Sequence, residues 1–170
     1  MRWGGGLSAA ELDDRPDGLR RVTQHLLQIK HPHPPVWLDV AVRTSQEAAD
    51  ALGVQVGQIA KSVVFRRKSD DVAVLIVTSG DRRVDEAKVA ARLGALARAD
   101  AAFVKQSTGF SIGGVAPLAH VTPPVTLVDR ELFRFDRVWA AAGHPNAVFQ
   151  ASPDQLVALT GAPVADVTQT

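Results

Sequence analysis

The chain contains no cysteine. Disulfides and thiolate metal ligands are therefore excluded. It also lacks any unbroken apolar stretch of the roughly 20 residues that a bilayer crossing needs; its apolar residues come in short runs such as Val72 to Val77. Net charge is scarce as well. Nineteen basic and eighteen acidic side chains leave a formal +1, whereas wholesale phosphate binding shows as a strong basic excess. Any contact with nucleic acid is thus expected to be local, with Arg66, Arg67, Lys68 and the pair Arg82/Arg83 as candidate patches. Met1 to Gly6 carry no apolar core of a secretory signal, so a cytoplasmic protein is expected.

The loud catalytic signatures are missing too: there is no G-x-S-x-G elbow, Walker loop, dinucleotide fingerprint or H-E-x-x-H. His31 and His33 stand in a His-Pro-His-Pro run with no carboxylate beside them, which reads as an irregular connection and not a metal site. Neither a metal nor another cofactor is expected.

What is present is enough for one domain. A length of 170 residues with 46% hydrophobic content can close a substantial core. Residues 1–16, with three consecutive glycines and an Asp-rich stretch, have little to bury and read as an extension; residues 17–170 read as a single domain. Leu19, Val22, Leu26 and Ile29 recur at helical spacing behind Asp17 as a possible cap. Trp37 to Val42 reads as a strand, followed by a short helix that Thr44 and Glu47 open at capping-box spacing and Gly53 stops. Ser62–Arg67 and Val72–Thr78 read as two strands joined by a polar turn, the second apolar enough for burial on both faces at the centre of a sheet. Asp85 caps a helix to Leu93, and Ala101 to Lys105 holds a further short segment. Val125–Val128 is a strand ending in Asp129, and Val138–Ala142 pairs with Ala147–Ala151 through the turn Gly143-His144-Pro145-Asn146. The last helix is marked by Ser152, Pro153, Gln155 and Gly161. Helices and strands alternate without a regular βαβ rhythm, so the expected class is α+β: a mixed sheet forming a partly open, barrel-like core surrounded by helices.

Several polar or glycine-containing positions fall at element ends, where sheet-supported loops concentrate binding sites. Taken singly they have plain roles: Thr44 and Asp129 as caps, Gly143 to Asn146 as a hairpin turn. Lys61 is different. It opens the hydrophobic run Ser62-Val63-Val64-Phe65, so it must either reach solvent or project into a polar cleft.

Arg43-Thr44-Ser45-Gln46-Glu47-Ala48-Ala49, Gly57 to Phe65, Ser79 to Asp85, Thr108 to Pro117 and Gly143-His144-Pro145 follow one another in a specific order and spacing. On these stretches the chain, from about Leu19 to Val167, resembles the YbaK/prolyl-tRNA synthetase-associated family. The resemblance implies the partly barrel-like α+β fold and the deacylation of tRNA mischarged with a small amino acid, notably on proline acceptors. The acceptor end of an aminoacyl-tRNA is the implied partner, with prolyl-tRNA synthetase as a candidate second one. The family's lysine falls on Lys61 and its G-x-x-x-P loop on Gly113 to Pro117. Gly113 and Gly114 would then offer main-chain N–H groups to the oxyanion of a cleaving ester, and Lys61 would hold either a terminal phosphate or the substrate carbonyl. Thr44, Gly80, Asp81, Ser111, Pro117, Asp129, Gly143 and His144 are the expected substrate-binding positions. The resemblance also implies that the terminal ribose hydroxyl of the tRNA assists the water, with His144 a wall or positioning group. A non-catalytic tRNA- or synthetase-binding module and a small-metabolite esterase are the alternatives.

Overall fold

The computed structural model describes residues 15–170, so the expected extension lies almost wholly outside the described residues. Helix α1 (Asp17–Gln28) buries Leu19, Val22 and Leu26. Two details differ from expectation. Pro16 occupies the N-cap without a side-chain cap bond, and Asp17 sits one residue inside, paired with Arg20. Ile29 lies past the last turn and is exposed.

The strand expected over 37–42 shrinks to β1 (Val36–Trp37). Beyond it the chain is held irregularly to a distant turn, through Leu38 N–H to Asn146 O and Val42 N–H to Pro145 O. Helix α2 (Ser45–Leu52) starts at Thr44, whose hydroxyl accepts from Glu47 N–H, and ends at left-handed Gly53. A 3₁₀ turn (Val56–Gln58) leads into β2 (Ile59–Arg67) and then β3 (Ala73–Ser79). All seven β3 residues are buried, as the run of apolar side chains requires of a central strand. Helix α3 (Glu86–Leu93) is capped by Asp85. It is followed by β4 (Leu96–Arg98), α4 (Ala101–Thr108) and β5 (Val125–Asp129). The hairpin β6 (Val138–His144) and β7 (Ala147–Ala151), helix α5 (Pro153–Thr160) and β8 (Val164–Ala165) complete the order. The capping box of α5 pairs Ser152 and Gln155 reciprocally.

The strands form one mixed sheet in the order β1-β7-β6-β2-β3-β5-β8, with β4 added to β2. β2 pairs antiparallel with β3 and β4 but parallel with β6, and β3 pairs parallel with β5. The path does not close into a barrel. The largest core cluster packs α1 against the sheet through Leu19, Val22, Leu26, Phe110 and Phe149. At about 1.5–3 kcal/mol for each fully buried large apolar side chain, this layer fixes the sheet on which the site is built. No described helix is long and apolar enough to cross a membrane.

Candidate active site

The site grows out of an interruption in the sheet. β2 and β6 run parallel and pair only at Ile59↔Trp139 and Ala60↔Ala140. β6 then bulges between Ala141 and His144, with Gly143 at φ +92°. A bulge bends its strand and ends pairing; here β6 veers from β2 and opens a cleft of about 740 Å³. Its lining includes Lys61 to Val64 of β2, Ala140, Ala141 and His144 of β6, and Thr44, Gly80 and Gly113.

The glycine-containing loop is anchored at both ends. From α1, Arg21 donates to Thr108 O at 2.9 Å, Gly109 O at 3.2 Å and Ala119 O at 2.7 Å, and its guanidinium lies over the Phe110 ring. Between these anchors Gly114 N–H donates to Ser111 O at 3.0 Å. That bond closes a four-residue turn whose third residue, Gly113, has φ +95°, a conformation glycine adopts without cost. Gly113 faces the cleft with its N–H unengaged among the described residues, whereas the Gly114 N–H is committed to the turn. Gly114 packs instead on the hairpin turn: a Cβ there would stand 2.9 Å from His144 Cα and 3.0 Å from His144 N. Gly114→Ala must push two backbones apart. It is expected to cost about 1–3 kcal/mol, read as a thermal midpoint lower by roughly 2–12 °C. An unchanged midpoint would show that the loop does not need this contact.

Lys61 is half-buried in the cleft wall, and among the described residues its ammonium has no hydrogen bond or ion pair. Its pKa is lowered, first by burial and then by the charge of Arg83, with Asp81 opposing. Asp81 does not capture the lysine because Arg134 holds it: the guanidinium donates to both carboxylate oxygens at 2.7 and 3.0 Å and to Ser79 Oγ at 2.8 Å. That fork keeps the Asp81 carboxyl below its usual range. Ser79 Oγ in turn donates to Gly57 O at 2.5 Å.

His144 Nδ1 accepts from Asn146 N–H at 3.0 Å, so the neutral ring carries its proton on Nε2. The ring stacks on Trp37, centroids 4.9 Å apart. Arg43, exposed, also lines the cleft.

Of the sequence-derived positions, the structure gathers Lys61, Gly113, Thr44, Gly80 and His144 around the cleft. Asp81 stands beside Lys61 but outside the lining. Gly80 lets the end of β3 approach the chain closely, since a Cβ would meet Val56 O and Ser45 Cβ. Gly143 does the same against Gly18 of α1. Ser111 supplies a turn carbonyl. Pro117 is buried and lines a separate cavity with Arg21 and His120. Asp129 is fully buried; its carboxylate accepts from Thr78 Oγ1, Ser79 N–H and Glu131 N–H. Arg134, Trp37 and Ser62 join the site without having been singled out. Arg134 lies 53 residues from Asp81, and no local spacing announces such a pair.

Residues 39–159 match the aminoacyl-tRNA editing domain family. The chain belongs to that family. This editing domain is 33% identical over 139 residues to the uncharacterized protein YwhH of Bacillus subtilis (strain 168), covering 81% of this chain and 88% of that one. It is 32% identical over 95 residues to the proline–tRNA ligase of Thermoanaerobacter sp. (strain X514), a match covering 54% of this chain and 16% of the ligase. Among solved structures it superposes on a candidate trans-editing enzyme for prolyl tRNA synthetase with a TM-score of 0.85 at 40% identity, covering 92% of this chain and all of that one. The mixed sheet and its open path are thus the editing-domain fold.

Proposed function

We propose that this editing domain hydrolyses, in trans, the ester linking a wrongly attached small amino acid to tRNA, with the proline acceptor as its tRNA. The observation that carries this reading is the Lys61 ammonium, unpaired among the described residues, in the same cleft as the Gly113 turn. An aminoacyl ester is already activated, so its hydrolysis calls for a placed water and donors at the developing oxyanion more than for a protein nucleophile. The Gly113 N–H supplies such a donor, and one donor of this kind is typically worth about 3 kcal/mol in the transition state. Lys61 supplies charge in a partly desolvated setting, toward either the carbonyl or a terminal phosphate. His144, its Nδ1 already accepting, offers Nε2–H as a donor and is a wall group and not the base. The terminal ribose hydroxyl of the tRNA takes part in orienting the water. Alanines and valines form much of the cleft wall, which suits a small side chain; a methylene is worth only about 1–3 kcal/mol in such discrimination.

Contact with the tRNA backbone is expected at few phosphates. Arg66 and Arg67 are paired with Asp71 and Asp70, and Arg82 lies near Asp81 and Glu131. Arg83 is exposed and acts on Lys61, and Arg43 opens onto the cleft. Arg83→Ala should therefore raise KM several-fold and lower the log–log salt slope by about 0.7–0.9, one phosphate's share, while Arg82→Ala leaves the slope unchanged. A slope unaffected by either substitution would place the tRNA elsewhere. Hydrolysis of a free aminoacyl ester as efficiently as the tRNA ester would replace the reading with a small-metabolite esterase.

A further inference from the structure

The interruption between β2 and β6 leaves main-chain groups without a strand to receive them. Arg67 N–H donates to Val72 O on the β3 side, while Lys68 N–H donates to Ala95 O on the β4 side, each at 2.9 Å. Backbone groups alternate along a strand. Odd-numbered residues of β2 therefore turn their N–H and C=O toward β3, and even-numbered ones toward the opposite edge. On that edge β6 reaches only Ile59 and Ala60, and β4 begins at Phe65. The N–H and C=O of Ser62 and the N–H of Val64 thus point into the interval where, among the described residues, β2 has no partner strand, while the Val64 C=O lies toward Ala99 at the end of β4. Both residues line the cleft. Ser62 carries a second sign of an absent partner: its hydroxyl is buried with no hydrogen bond among the described residues. Buried polar groups in native folds are overwhelmingly satisfied, so an orphan at this place calls for a ligand or water.

We propose that this stretch of β2 is the subsite for the main chain of the aminoacyl group, which docks as a single strand residue in the position that β6 vacates. Ser62 C=O accepts from the α-ammonium, and Val64 N–H donates to the ester carbonyl. This is the pattern by which one residue of a parallel strand bridges its neighbour, donating to one residue and accepting from the residue two further on. The ligand chemistry is an α-amino acyl group, a cationic donor one bond from the carbon that bears the acceptor. Selection for it is separate from selection by side-chain size, because the recognising atoms belong to the backbone.

This assignment rests on the editing reading, and the test separates the two. The full chain is given the same tRNA esterified with alanine or with lactate, which replaces the α-amino group by hydroxyl and keeps the methyl. Each rate is divided by that ester's own spontaneous hydrolysis rate, since the ammonium activates the ester by itself. The subsite requires the acceleration of the alanyl ester to exceed that of the lactyl ester by about tenfold or more, a loss typical of replacing a charged donor to a buried carbonyl by a neutral hydroxyl. Equal accelerations overturn the subsite and leave the editing function standing; acceleration of neither ester removes both. As a second measurement, the Val64 amide proton should shift when 3′-alanylamido-adenosine is added. An unmoved Val64 resonance with shifts confined to the Gly113 loop would overturn the assignment.

Discussion

Lys61→Ala is expected to slow deacylation by about two orders of magnitude or more while the protein remains folded. The kinetic loss follows from removing a charge in a partly desolvated cleft, where contacts made in the transition state are strongest. Stability should change by less than about 1 kcal/mol, because no described residue relies on the ammonium for a hydrogen bond. The direction of any change is also fixed. Burial, then Arg83, holds the Lys61 pKa below its ordinary value in the folded protein, against the opposing pull of Asp81. Between the lowered pKa and about 10.4 the unfolded chain binds more protons than the folded one, so this group makes stability rise with pH across that window. Below the window its penalty is present in full, and the alanine variant, free of it, should be level with or slightly above the parent. Single-turnover rates and thermal unfolding on one sample decide the matter. A folded variant that still hydrolyses at the parent rate would remove Lys61 from the mechanism.

Asp129→Ala should instead show its largest effect in stability, a loss of about 3 kcal/mol or more. The carboxylate is fully buried, and its loss strands the Thr78 hydroxyl and the Ser79 N–H, both inside the protein. Each stranded buried donor costs about 1–3 kcal/mol, and the cavity adds to that. Thr78 faces Lys61 in the β2/β3 register, so the variant also loosens the strand opposite the lysine. Asp129→Asn keeps an acceptor and should lose less. Should Asp129→Ala unfold like the parent yet lose activity, the residue would be binding substrate and not holding the end of β3.

These two residues show what sequence could and could not reveal. Where structure is local it was legible. The caps at Thr44, Asp85 and Ser152, the left-handed stop at Gly53, the buried run of β3 and the β6–β7 turn all follow from residues a few positions apart. The strand expected over 37–42 failed because its alternation competes with the turn at 144–146, which takes the Leu38 and Val42 N–H groups by a contact more than a hundred residues away. The same limit governs the site. Lys61 stood out because a cation heading an apolar strand needs a reason, and the glycine loop because glycines let main-chain N–H groups approach a ligand. Their places at element ends singled out Asp81, Asp129 and Pro117, but their side chains do different things once folded. Asp81 is clamped by Arg134, Asp129 is sealed inside, and Pro117 faces another cavity. The interruption between β2 and β6 left no mark on the sequence of β2, because it is created by a bulge about eighty residues later.

Single-turnover deacylation of proline-acceptor tRNA carrying alanine, serine, cysteine or proline decides whether the cleft is built for ester hydrolysis on tRNA. At least one small amino acid should be released far above its spontaneous rate, with the prolyl ester spared. No release above the spontaneous rate from any of the mischarged species would contradict the proposed hydrolysis.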